Sequence, residues 1–230
     1  MPDTRLTKER LKNHWAYSKK IYIFMTLVCV GLASIIFTMV NNHLPPNNKL
    51  VGVAFVESYA DTAPLAADTP KLLSLGKAYD ENLAEVTFLN IQYSGSAENE
   101  MDYYGAQLYQ VHLGSGDYDI FMQGKELTDF LRDENSLVAL DTLPCFELFT
   151  EKYKDALVWS EVNVGKDDEN PQLEEHCYSV DISSMTRLIS KNVFYTQGKY
   201  ASIIKTSANP DTSLYILYQM LELYTEPAVQ

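Results

Sequence analysis

Residues 50–56 read Leu50-Val51-Gly52-Val53-Ala54-Phe55-Val56, seven consecutive positions with no charge and no polar side chain. A run this short and this evenly apolar suits a strand that buries both faces, as in parallel sheets, where the usual alternation disappears. Downstream, polar and turn residues fill 57–68. Thr69-Pro70 then opens a helix, with Thr69 as N-cap and Pro70 at the first helical position. Leu72, Leu73 and Leu75 give that helix an apolar side. Residues 86–93 (Val-Thr-Phe-Leu-Asn-Ile-Gln-Tyr) are β-branched and aromatic enough for a second strand, and Ser94-Gly95-Ser96 makes a turn. A helix over 99–113 carries Tyr104, Leu108 and Val111 at helical spacing as its core face, and Gly114 stops it. A third strand covers 118–122, a helix 125–132 and a short extended piece 136–140. Strand and helix alternate three times, the pattern of an α/β domain with a largely parallel sheet.

The remainder continues in the same style. Residues 146–159 read as a helix, 165–175 as a polar excursion, 177–182 and 200–205 as two more strands. Asn209-Pro210-Asp211 opens a last helix over 212–224, with Leu214, Leu217, Tyr218 and Leu221 on one face. In parallel α/β sheets, ligands sit outside the carboxyl ends of the strands where strand order reverses, which selects the loops after residues 56, 93 and 122.

Working back toward the N-terminus, residues 21–40 form twenty positions without a charge. At about 1.5 Å per residue such a helix spans roughly 30 Å, the hydrocarbon thickness of a bilayer. Thr26, Ser34 and Thr38 return their hydroxyls to carbonyls of the preceding turn. Arg5, Lys8, Arg10, Lys12, Lys19 and Lys20 precede the run against only Asp3 and Glu9, so the N-terminus is expected in the cytoplasm. The run is longer than a secretory core and no small-x-small site follows it, which points to an uncleaved signal-anchor. Val28 before Cys29 does not suit a lipidated cysteine. Pro45-Pro46 ends the helix. The expected organisation is a basic cytoplasmic tail (1–20), a transmembrane segment (21–40), a polar stalk (41–49), an extracellular α/β domain (50–224) and a short tail (225–230).

The charge divides along the same line. The chain has 18 basic and 31 acidic residues, a net −13. Residues 1–40 hold six basic and two acidic side chains, and residues 41–230 hold 12 and 29, a net −17. The acidic external part argues against nucleic acid as a partner.

The segment Leu108-Tyr-Gln-Val-His-Leu-Gly-Ser-Gly-Asp-Tyr-Asp-Ile-Phe-Met122, followed by a helix and by Leu137-Val-Ala-Leu-Asp-Thr-Leu143, resembles the first lobe of bacterial extracellular solute-binding proteins of ABC importers. Those proteins show a helix ending in a small-Gly-Asp segment, a strand beginning Asp-Ile, a helix, and Leu-x-x-Leu-Asp-x-Leu. Residues 177–182 are similar to the strand where that chain returns to its first lobe, and 200–223 to its closing strand, turn and helix. The resemblance covers residues 50–143 and 177–223. It implies a single-lobe, periplasmic-binding-protein-like domain. Only 33 residues, 144–176, stand where a second lobe would require on the order of 100, which leaves hinge closure on a ligand without its second half.

The resemblance also implies site residues. Glu57, Ser58 and Tyr59, after the first strand, correspond to a loop that touches ligand in that family. Tyr93, Ser94, Gln123 and Lys125 stand at the equivalent ends of the next strands. The other reading of all seven is a solvated loop. Tyr103, Tyr104 and Tyr109 crowd one helix, with Tyr104 expected in the core and Tyr103 exposed. Glu174-Glu175-His176-Cys177 contains metal-ligand types, but neighbours in a strand point to opposite faces and no set of four converging ligands is spaced for zinc, so no metal is expected. Cys145 and Cys177 flank the polar excursion in an oxidising compartment: either a disulfide staples it, or both are buried thiols. The four histidines are scattered and no nucleophile-elbow, zincin, Walker A or dinucleotide motif is present, so neither an enzyme nor a cofactor is expected.

The expected function is a membrane-anchored extracellular binding domain. It presents a ligand face, carbohydrate-related by the resemblance, or a partner face to an ABC permease, another membrane protein or a sensor. The alternative is a non-catalytic structural or interaction module of a membrane complex that has lost solute binding.

Overall fold

The structure, a computed structural model, describes residues 7–43, 46–96, 100–163 and 173–226. It falls into two units, Met1–Pro45 and Pro46–Gln230. The first contains one helix, α1 (Lys8–His43). Its segment His14–Met39, 26 residues whose most apolar 18-residue stretch has a mean hydropathy of 2.3, is long and apolar enough to cross a membrane. Thr26 Oγ1 donates to the carbonyl of Tyr22 at 2.9 Å and Thr38 Oγ1 to that of Ser34 at 2.8 Å, so these hydroxyls are satisfied within the helix. Helix formation extends back through Lys12, Lys19 and Lys20, so the expected tail and span are one continuous element.

The second unit runs β1 (Leu50–Val56), α2 (Thr69–Tyr79), β2 (Glu85–Ile91), α3 (Glu100–Ser115), β3 (Ile120–Gly124), α4 (Lys125–Asp133), α5 (Glu147–Lys152), β4 (Leu157–Asn163), β5 (Leu173–Asp181), α6 (Thr186–Ser190), β6 (Lys199–Ile203) and α7 (Pro210–Tyr224). The six strands form one sheet in the order β2-β1-β3-β6-β5-β4. β1 pairs in parallel with β2 and β3, and the remaining neighbours pair antiparallel, so β1, β2, β3 and β5 run one way and β6 and β4 the other.

The layers follow from crossover handedness. From β1 the chain steps to β2 on one side, then returns across β1 to β3 on the other. Right-handed crossovers in opposite lateral directions put their helices on opposite faces. α2 packs with α7 on one face, above Val51, Val53 and Phe55 of β1. α3 and α4 lie on the other, above Ala54 and Val56. Both faces of β1 are therefore buried, as its uniform sequence requires.

A polar lock holds β1 to the turn before β3. Gly52 N–H donates to Asp119 Oδ2 at 2.8 Å, Asp119 N–H to the Gly52 carbonyl at 2.9 Å, and Ser207 Oγ to Asp119 Oδ1 at 2.6 Å. Burial pushes the Asp119 carboxyl up to about 6, against the lowering effect of the two bonds it accepts. A Cβ on Gly52 would stand 2.7 Å from the Asp117 carbonyl, so glycine is what lets these strands close. Because Asp119 serves this turn, β3 begins two residues later than the sequence pattern indicates.

Several expectations are corrected. The helix expected over 146–159 ends at Lys152, and Leu157–Asn163 forms β4, because Val158, Trp159 and Val162 find an antiparallel partner in β5. Trp159 thus stands in a strand, edge-to-face with Phe146. Val158 faces Ser179 while Trp159 faces Cys177, so Tyr178 is an extra, bulged residue. Residues 136–140 contribute only a bridge, Leu137 to Ile204, before a single turn of 3-10 helix. Of the polar excursion, 173–175 belong to β5 and 165–172 lie outside the described residues. Tyr104 is 61% exposed, not in the core; Gly105 and Tyr109 are the buried residues of α3. Helix α3 rests on Gly105 and Tyr109, with Leu108 and Leu113 partly buried beside them.

Cys145 and Cys177 are free thiols, so the disulfide alternative is not realised. Each is buried and donates to a different carbonyl, Cys145 Sγ to Asp211 and Cys177 Sγ to Ser179. Burial pushes the Cys177 thiol up to about 12.

Two predictions follow from this packing. A Cβ on Gly105 would lie 1.9 Å from the Gln92 carbonyl, a backbone atom that cannot rotate away. Gly105→Ala is expected to lower stability by about 1–3 kcal/mol, read from the chemical-denaturation midpoint. The second concerns His176, whose Nδ1 meets Asp141 Oδ2 at 2.8 Å and whose Nε2 meets Glu174 Oε2 at 3.2 Å. These bonds, to Asp141 first, raise its pKa above the ordinary 6.5. A raised folded pKa contributes stability that is complete below the unfolded value and is lost as pH rises through the folded one. Wild type should therefore lose more stability than His176→Gln as pH rises from below the ordinary 6.5 through the raised folded value; equal losses in thermal unfolding would remove the imidazolium from the account.

Candidate strand-end site

The strand order reverses between β1 and β3, since β1 is followed by β2 on one side and later by β3 on the other. Outside the carboxyl ends of these strands the connecting chains diverge and leave a crevice. A cavity of about 240 Å³ occupies this place, lined by Glu57, Tyr93, Ser94, Lys125, Glu126 and Lys199 among others. Four residues singled out by sequence meet here: Glu57 from the end of β1, Tyr93 and Ser94 from beyond β2, and Lys125 from the end of β3.

Glu57 is anchored through its N–H to the Ile91 carbonyl, 3.1 Å, which ties the end of β1 to β2. Its carboxylate pairs with the Lys199 ammonium and also accepts from Ser58 N–H at 3.0 Å. Both members of the ion pair are half-buried. Tyr93 packs against Tyr109, ring centroids 5.5 Å apart, and its hydroxyl donates to the Gly95 carbonyl at 3.1 Å. Gly95 takes φ +99, which fits the turn to a glycine. Lys125 stands exposed at the rim, paired with Asp129 at 2.6 Å; that hydrogen bond raises its pKa.

Ser58 and Tyr59 line a second hollow of about 380 Å³ with Ile189, Asn192, Phe194 and Tyr195. Glu57 is shared by both hollows. Tyr59 and Tyr195 are 66% and 59% exposed, and Phe194 packs on Phe55 beneath them. Gln123 is not brought to either hollow. It is buried in the α3 face, its Oε1 accepting from the Tyr109 hydroxyl at 2.8 Å.

Lys199 is the principal residue that sequence reasoning missed. It lies far along the chain and enters the site only because β6 is antiparallel and begins where β3 ends, with Gly124 opposite Lys199. Tyr195 and Phe194 enter with it. A positive residue just before a strand was the only available signal, and its value depends on strand direction.

No protein-family model matches the chain, and no curated protein matches it. Among solved structures, a partial likeness is to the bacterial solute receptor AcbH, described as having an exclusive substrate preference for β-D-galactopyranose. The identity is 15% and the TM-score 0.25, over 50% of this chain and 25% of that protein. The chain thus spans a quarter of the length of AcbH.

The Glu57–Lys199 pair can be isolated by a double-mutant cycle on Glu57→Gln and Lys199→Met. A coupling of about 1 kcal/mol in denaturation free energy is expected for a half-buried pair, the losses of the two single variants summing to more than the loss of the double variant by that amount. A coupling of zero would show the contact to be incidental.

Proposed function

We propose that residues 50–224 form a solute-binding-type domain, held at the outer face of a cell membrane by α1, which takes up a small polar ligand at its strand ends and presents it to a membrane importer or sensor. The observation that carries this reading is the cavity at the reversal point of the sheet, where Glu57, Tyr93, Ser94, Lys125 and Lys199 converge from four separate strand ends. A lining that combines carboxylates (Glu57, Glu126), ammonium groups (Lys125, Lys199) and hydroxyls (Tyr93, Ser94) suits a ligand rich in hydrogen-bonding groups. The exposed rings of Tyr59 and Tyr195 next door suit the apolar face of a sugar. The basic residues ahead of the apolar segment support a cytoplasmic N-terminus.

A specific observation favours the alternative, an interaction module without a solute. The segment 144–176, which stands where a second lobe would be, supplies α5, β4 and the start of β5. The β4–β5 hairpin lies at the far edge of the sheet and runs away from the strand ends. Nothing in the described residues therefore closes over the cavity from that side.

The two readings separate in a thermal-shift screen of the full chain in detergent against sugars, oligosaccharides, amino acids and peptides. A ligand at a hundred times its Kd stabilises by about 2.7 kcal/mol, a shift of several degrees. Under the solute-binding reading one class shifts the midpoint and Glu57→Gln and Lys199→Met reduce the shift. No shift by any class at millimolar concentration would overturn it in favour of the interaction module.

A further inference from the structure

The strand edge opposite the hairpin has an unusual character. β2 is the last strand of the sheet, and its outer edge has no partner strand among the described residues. Edge strands are ordinarily guarded by lysine, proline, a bulge or short length. β2 reads Glu85-Val-Thr-Phe-Leu-Asn-Ile91: seven residues in unbroken register with β1, one charge at its first position, and no proline. The other edge strand, β4, carries Glu161 in its middle and lies beside the Tyr178 bulge.

Above this edge lies a stripe of α3 that the core uses only in part. Met101, Tyr104 and Val111 are about 60% exposed, and Leu108 is only partly buried against the core. Their spacing of three, four and three residues is that of a seam meant to meet another helix. The direction follows from the neighbours. Gln110 and Leu113 of α3 face Phe130 and Leu131 of α4. The stripe occupies the opposite flank, the side of β2.

We propose that a second copy of this chain docks on this surface, β2 pairing antiparallel with its equivalent about a two-fold axis at Phe88 and the two α3 stripes meeting across it. Charge selects the occupant. The external part carries a net −17 and would repel its own copy over most of its surface. From Val86 to Ile91, and along α3 from Tyr103 to Ser115, no side chain is acidic; the acidic residues of the helix, Glu100 and Asp102, stand in its first turn. Antiparallel pairing sets each Glu85 beside Ile91 of the partner rather than beside its own equivalent. An open strand edge also bonds best to another extended strand, and an isologous contact offers one of matching length. A membrane anchor confines copies to a plane, so a modest interface is enough.

The test is sedimentation equilibrium of the full chain in detergent over about a hundredfold range of concentration, with hydrogen exchange read at residues 85–91. A reversible dimer is expected, with slower exchange in β2 as it forms. Tyr104→Glu changes a side chain already exposed, so the fold should survive by circular dichroism. It should weaken the dimer about tenfold or more. Tyr104→Lys should do the same, which separates loss of the apolar contact from added acidity. A monomer at every concentration would overturn the proposal. So would a dimer whose strength and β2 exchange are unchanged in both variants, as one held by α1 alone would be.

Discussion

β1 buries both faces and pairs along both edges, and the rest of the domain is arranged by that constraint. An apolar strand of seven residues has no side to offer water, so helices must cover it above and below. With β2 on one edge and β3 on the other, the two crossovers are forced onto opposite faces, and the connecting chains part at the carboxyl end of β1. Gly52 and Asp119 fix how closely the turn before β3 approaches the strand. The crevice at Glu57 is thus a product of topology, present before any side chain is chosen to line it.

The return of the chain decides what that crevice contains. β6 enters the sheet antiparallel beside β3 and delivers Lys199 opposite Gly124, next to the carboxylate of Glu57. A purely parallel sheet would have placed the start of that strand at the opposite end. The aromatic wall of the neighbouring hollow depends on the same return, because Phe194 and Tyr195 precede β6 and pack back toward Phe55.

The segment 144–176 widens the sheet. β4 and the bulged β5 form a hairpin on one edge, and α5 packs against α7 through Phe149, Tyr153 and Tyr218, with Lys152 and Tyr153 both bonding Glu222. Among the described residues the sheet is asymmetric, with the bulged hairpin at one edge and the unpaired outer edge of β2 at the other.

Much of this was legible in the residues themselves. The uncharged run 21–40 specifies a helix suited to a bilayer because nothing in it prefers water, and the apolar run 50–56 specifies a doubly buried strand for the same reason. The alternation of strand and helix through residue 132 follows from local periodicity and turn chemistry, and with it the strand ends that carry Glu57, Tyr93, Ser94 and Lys125. Local pattern failed where the answer lay in a distant partner. Residues 157–163 are equally apolar as helix or strand until β5 lies beside them. Tyr104, Leu108 and Val111 make a good core stripe until Gly105 is found against the Gln92 carbonyl, which turns the helix, exposes Tyr104 and Val111 and leaves Leu108 only partly buried. Gln123 belongs to a strand end by position but to the core by the face it takes. Burial of apolar surface and turn propensity are properties of neighbours in the chain. The direction of β6, the rotation of α3 and the meeting of Glu57 with Lys199 are properties of neighbours in space, and only the folded sheet decided them.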